Sequence, residues 1–190
     1  MAASGRGGCP VFQLPDAIDA NLAKWDSLAQ EFAARHFKAE KFLYLGRGVH
    51  YAIAREGALK LKEISYAHAE GYPVGELKHG PNALVDETLP VVVLATCDRR
   101  DPDSMLRYRR TLDVMKEVRS RRGPLVAVAT EGDKEVATIA EHVFYVPAAS
   151  ELLLPIVEVI PLQLFAYHVA VNKGYDVDHP RNLVKAVVTE

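Results

Sequence analysis

The chain has 190 residues, 49% of them apolar and 25% charged, which fits one globular domain with a real core and excludes a disordered or fibrous chain. Its 23 basic and 25 acidic residues leave a formal charge of -2, which excludes a nucleic-acid binder driven by counterion release, although residues 107–122 form one local basic helix. Cys9 and Cys97 share no short motif and make no disulfide framework, so a reduced, cytoplasmic protein is expected.

Residues 1–12 are Gly-rich and read as a flexible leader, with no apolar core of signal-peptide length. A helix is expected over about residues 16–36, where Ile18, Leu22, Trp25, Leu28 and Phe32 recur at spacings of three and four. Four apolar runs follow, at 42–45, 91–95, 125–129 and 143–146, the last three rich in Val, without polar alternation. Strands buried on both faces read this way. Helical segments are expected between them, at about 51–67, 102–122 and 134–141. Alternating strands and helices give the α/β class: a three-layer α-β-α sandwich around a parallel sheet. The apolar stretch 152–171 is long enough to span a membrane, but it carries Glu158, Gln163, His168, Pro155 and Pro161, so a buried core helix and no membrane contact are expected.

Such sheets bind ligands at the carboxyl ends of their strands. Three loops belong there: Gly46-Arg47-Gly48, Thr96-Cys97-Asp98 and Thr130-Glu131-Gly132. The glycines of the first would let backbone approach a phosphate or sugar at a helix start, and a tight turn explains them equally well. The third Gly of a dinucleotide fingerprint and the GK[ST] of a P-loop are both missing.

The segment YAIAREGALKLKEISYAH carries the candidate chemistry. At about 100° per residue, Ile53, Gly57, Leu61, Ile64 and His68 share one face; Glu56, Lys60, Glu63 and Ala67 form an adjoining stripe, and Lys62 points to solvent. Lys60 reaches both carboxylates. That is a salt-bridge ladder, or the partly buried acid–base pair that proton transfer beside a carbonyl needs. His79, between Gly75 and Gly80-Pro81, sits on a loop or helix end. No cluster has metal-ligand spacing, and neither Cys has an activating neighbour in sequence. The tail, DVDHPRNLVKAVVTE, follows a helix stop at Gly174 and is either loose or docked through Leu183, Val184, Val187 and Val188.

LGRG, EGALKLKEISYAHAEGYPVGELKHGP and IPLQLFAYHVAVNKGYDVDHPRNLVKAVVTE, in this order and spacing, resemble the isomerase part of the glucosamine-6-phosphate synthase family, and within it the second of its two sugar isomerase (SIS) domains. The resemblance implies a five-stranded parallel sheet, the fifth strand near residues 69–72. It divides the chain into a leader (1–12), an SIS domain with its lead helix (13–173) and a tail (174–190) carrying Lys185. It implies conversion of fructose 6-phosphate to glucosamine 6-phosphate, with ammonia drawn from glutamine and no cofactor. Glu63 matches the base that moves a proton between C1 and C2, and Lys60 its neighbour on the same helix. His79 matches the ring-opening residue, which in the family reaches the site of the neighbouring subunit, so a homodimer is implied. Lys185 matches the lysine that forms a Schiff base with the ketose. Gly46, Gly48 and Val184 fall among the sugar-binding positions. The family's glutaminase domain, its first SIS domain and the Ser/Thr-rich loop of the form SxSGxT that grips the sugar phosphate are absent from these residues. Little synthase activity is therefore expected of the chain alone, and a non-catalytic phosphosugar-binding or dimerisation module is the alternative. A response-regulator-like or flavodoxin-like domain shares the fold class, but the acidic cluster of the former is missing.

Overall fold

A computed structural model describes residues 10–183. Its elements in chain order are α1 (Pro10–His36), β1 (Lys41–Gly46), α2 (Val49–Ser65), β2 (His68–Pro73), β3 (Val91–Ala95), α3 (Pro102–Ser120), β4 (Leu125–Thr130), β5 (His142–Val146) and α4 (Leu154–Asn172). Short 3-10 segments at Val74–His79, Pro81–Leu84 and Val136–Thr138 fill connections. The five strands are all parallel, in the order β2-β1-β3-β4-β5. The expected five-stranded sheet between helix layers is thus what the chain forms.

Strands β1, β3 and β4 are apolar along almost their whole length because alternate residues serve two cores. Phe42 and Tyr44 of β1, Val92 and Leu94 of β3, and Val126 and Val128 of β4 join the core beneath α1, α2 and α4. Leu43, Leu45, Val91, Val93, Ala95, Leu125, Ala127 and Ala129 join the opposite core, beneath α3 and the 3-10 segment carrying Val74 and Leu77. A side-chain period of two gives each strand one foot in each layer. Trp25 anchors α1: it is fully buried and its Nε1 donates to the Tyr145 carbonyl of β5 at 2.8 Å.

Four sequence expectations need correction. The lead helix starts at Pro10, inside the stretch read as a leader, since a proline is well placed in a first helical turn. Leu22 on its expected apolar face is exposed; Leu14, Trp25, Ala29, Phe32 and Ala33 make the contact. The helix expected over 134–141 is only the 3-10 turn Val136–Thr138. There the Asp133 carboxylate accepts from the backbone N–H of Glu135 (2.9 Å) and Val136 (3.1 Å), a local bond that competes with helix formation. Finally, His68 does not share a face with Ile53 and Leu61. Tyr66, in the left-handed region at φ 58°, ends α2, and His68 opens the edge strand β2 with its ring exposed.

The stretch 152–171 becomes α4, long and apolar enough to cross a membrane by length and composition alone. Here it is the core helix between α1 and α2, burying Val157, Leu162, Phe165, Ala166 and Val169. It approaches α2 at Gly57, where a Cβ would stand 2.7 Å from Leu162 Cδ1 and 3.0 Å from the Tyr44 ring.

Candidate active site

Helix α2 begins at the turn after β1. Gly46 is required there, because a Cβ would lie 2.3 Å from the backbone carbonyl oxygen of His50. Gly48 takes φ 62° and ψ −131°, a conformation side chains disfavour, and exposes backbone at the helix start. The GxG turn is therefore a structural necessity at Gly46, and its second glycine lies beside the strand ends where ligands bind.

Two turns further along α2, Lys60 Nζ lies 2.7 Å from Glu63 Oε2 and 3.6 Å from Glu56 Oε1. Both members of the closer pair are partly exposed, 33% for Lys60 and 29% for Glu63. The hydrogen bond to Glu63 holds the Lys60 ammonium above its usual pKa against a smaller opposing effect of burial. Lys60 therefore stays a cation at neutral pH. The exposed carboxylate edge faces a cleft that Lys60 and Glu63 line together with Val177, Asp178, His179, Pro180 and Leu183.

That cleft exists because the first residues of the tail fold back. Arg181 stacks its guanidinium 4.0 Å over the Tyr66 ring and donates its backbone N–H to the Tyr66 hydroxyl at 2.9 Å, while the Tyr175 ring lies 4.7 Å from that of Tyr66. The tail is docked as far as Leu183. Val184 and Lys185 lie outside the described residues, as does Cys9. His79 is exposed at the end of its 3-10 segment and lines a different cleft, with Arg55, Lys62, Tyr72 and Glu76. Lys60 and Glu63 are thus brought together with the tail, and His79 is not.

A second polar cluster, unforeseen from the sequence, lies at the carboxyl ends of β1 and β3. His50 and Glu158 are fully buried, with His50 Nδ1 2.8 Å from Glu158 Oε2. The Thr96 hydroxyl donates to Glu158 Oε1. His50 Nε2 lies 3.0 Å from Glu151 Oε1, which also accepts from Arg107 Nε at 2.7 Å. Arg107 therefore turns inward and does not belong to an exposed basic helix. Glu158, a carboxylate in the most apolar stretch of the chain, was the available signal; its partner, 108 residues away, left none. Cys97 is buried beside this cluster, and burial pushes its thiol up in pKa, against nucleophilic use.

The SIS domain family model matches residues 37–173. The chain belongs to the SIS domain family. This SIS domain is 49% identical over 178 residues to a glutamine--fructose-6-phosphate aminotransferase (isomerizing) of Chlorobaculum tepidum and 53% identical to that of Thermus thermophilus, in each case over 94% of its own length. It spans only 28% of the length of those relatives, and the part it matches is their C-terminal SIS domain. Among solved structures it superposes on a C-terminal domain of glucosamine-fructose-6-phosphate aminotransferase from Francisella tularensis with a TM-score of 0.76 and 41% identity, over 86% of this chain and 44% of that one. A tagatose-6-phosphate ketose/aldose isomerase from Escherichia coli shares the fold, with a TM-score of 0.70 at 24% identity over 88% of this chain and 46% of that one.

Proposed function

We propose that this SIS domain performs the proton transfer of an aldose–ketose isomerisation, as part of a synthase making glucosamine 6-phosphate from fructose 6-phosphate and ammonia. The observation that carries the reading is the Lys60–Glu63 pair, 2.7 Å apart in a cleft roofed by the docked tail. Glu63 is the base that moves the proton between C1 and C2 of an open-chain imine, and Lys60 positions its carboxylate. Lys185 is the amine that forms the imine. It is two residues beyond Leu183, which lines the cleft, and two residues of chain span at most about 7 Å. A tail over the cleft would exclude water and lower the lysine pKa from about 10.4 toward neutrality. Gly46, Gly48 and Val184 belong to the sugar-binding surface in this reading.

His79 opens the sugar ring from a second copy of the chain. Its exposure, and its place in a different cleft from Glu63, fit a homodimer with shared sites. Glutaminase and first SIS domains supply ammonia and the phosphate grip, and the setting is cytoplasmic. Borohydride trapping with fructose 6-phosphate in the complete synthase is the test: Lys185 should be labelled, and equal labelling of a Lys185→Ala variant would refute the assignment. Glu63→Gln should lower turnover by about 10²–10⁴-fold. Alone, the 190 residues should form little glucosamine 6-phosphate.

One observation favours the second reading in its form of a non-catalytic dimerisation module. The strand-end position where α/β folds bind ligands is filled by the chain's own Arg107 and Glu151. A dimer that shows neither fructose 6-phosphate binding nor turnover, with ammonia supplied and the other domains present, would establish it.

A further inference from the structure

We propose that His36 and His142 form an acid-released clasp between α1 and β5: as neutral rings they hold the last turn of α1 on the start of the strand, and as imidazolium cations they push it away. The clasp sits at a boundary in the chain. Helix α1 lies outside the residues that the SIS family model matches, 37–173, and His36 is its last residue. His142 is the first residue of β5, which is an edge of the sheet. The helix meets that strand at three levels. Trp25 Nε1 donates to the Tyr145 carbonyl at 2.8 Å. Phe32 stands edge-on to Phe144, with ring centres 4.9 Å apart, and lies tilted against His142 at 4.0 Å. One turn further on, the His36 ring meets His142 edge to face at 5.9 Å. The contacts nearest the turn into β1 are thus made by imidazoles.

The surroundings favour the neutral rings. His142 is buried and His36 partly so, and His36 Nε2 is buried with no hydrogen-bond partner among the described residues. A neutral ring meets that position with a bare lone pair and keeps its proton on Nδ1. An imidazolium carries a proton on both nitrogens, so it would bury a charged donor there with nothing to receive it. Burial is the main cause that lowers the pKa of both rings; His142 adds to it for His36, and the Arg35 guanidinium adds to it for His142.

The charged groups that face the pair do not offset two new cations. They are Glu31 and Arg35 on α1 and Glu141 just ahead of β5. Both carboxylates already have partners: Glu31 accepts from Arg35 at 2.8 Å, and Glu141 pairs with Arg119 of α3. Strand β4, beside β5, carries no charged residue, and α4 turns its His168 to Asp26, ten residues before His36. Both folded-state pKa values lie below that of an unfolded histidine, about 6.5. The clasp is therefore at full strength above that pH and is lost as pH falls from there toward the folded values. Each proton that only the open state binds raises the opening constant about tenfold per pH unit, so the pair gives up to about a hundredfold. The bistable element is α1 against β5, and the histidines bias it. No residue of the Lys60–Glu63 cleft takes part, so the inference stands apart from the proposed isomerase chemistry.

The experiment follows amide hydrogen exchange of the whole chain from about pH 7.5 to about pH 5, corrected for intrinsic exchange, together with NMR titration of the histidine ring C–H resonances. Protection of residues 32–37 should fall about 10- to 100-fold per pH unit below about pH 6.5, while that of residues 91–95 in β3 holds. His36→Phe and His142→Phe should each leave a fall of at most about tenfold per unit, and the double variant should leave none. In the wild-type chain both rings should titrate below about pH 6.5. Two wild-type rings that titrate at or above that value overturn the proposal even if no variant folds. Loss of protection at 32–37 that only keeps pace with 91–95, or an acid response that survives in the folded double variant, also overturns it.

Discussion

Removing His50 should cost more than removing its partner Glu158. Both side chains are fully buried. In His50→Leu, Glu158 Oε2 loses its 2.8 Å partner and the carboxylate keeps only the Thr96 hydroxyl. An uncompensated buried charge costs about 3–5 kcal/mol. The penalty should therefore be about 3–5 kcal/mol. Glu158→Leu instead leaves the imidazole 3.5 Å from the Thr96 hydroxyl, at a cost of about 1–3 kcal/mol. The double variant His50→Leu/Glu158→Leu should be more stable than His50→Leu alone, as apolar replacements of buried ion pairs often are. Urea unfolding of the four proteins at pH 7 measures all of this. For a domain of this size the His50→Leu penalty corresponds to a melting shift of about 6–20 °C. A His50→Leu penalty no larger than that of Glu158→Leu, or two single penalties under about 1 kcal/mol that simply add, would refute the reasoning.

The remaining expectations test other parts of the molecule. Gly46→Ala should cost several kcal/mol or prevent folding, because the added Cβ meets backbone at 2.3 Å; circular dichroism melts will show it. Gly57→Ala should gain nothing from its better helix propensity, since a Cβ at 2.7 Å from Leu162 Cδ1 forces repacking that costs about 1–3 kcal/mol against a gain of about 1 kcal/mol, as read from the urea midpoint. Lys60→Met should change stability by less than about 0.5 kcal/mol, as expected of a partly exposed ion pair. What it removes is present below the unfolded lysine pKa and is lost as pH rises through the higher folded value, so the two proteins should converge in alkali. Burial raises the Glu151 carboxyl, but the Arg107 and Ser104 hydrogen bonds outweigh it and hold its pKa below the usual value. Its stabilisation is thus present above the unfolded pKa and lost as pH falls through the lower folded one, and Glu151→Gln should flatten that acid limb of the urea midpoint.

The fold was legible where burial on both faces left a continuous apolar run. Strands β1, β3, β4 and β5 appear in the sequence as apolar stretches because each feeds two cores. The edge strand β2, HAEGYP, does not: only Ala69 is buried in it, and the family resemblance alone placed it. The segment 134–141 was misread because an acidic side chain captured the backbone that a helix would have used. In the candidate site, the Lys60–Glu63 pair was legible because its members are three residues apart on one helix. The His50–Glu158 and Arg107–Glu151 pairs were not, because their partners, 108 and 44 residues apart, meet only when the sheet and α4 assemble.

Tyr66 both ends α2 and clasps the tail. What it contributes to the clasp is one exposed cation–π contact, about 0.5–1 kcal/mol, and one hydrogen bond of about 1 kcal/mol. A closing free energy near 2 kcal/mol corresponds to a closed-to-open ratio of about 30, so a few per cent of molecules have the tail lifted at any instant. Loop-scale opening runs on nanosecond to microsecond times. The roof of the Lys60–Glu63 cleft is therefore a door with its own fast, shallow equilibrium, one that swings without unwinding the helix on which it hinges.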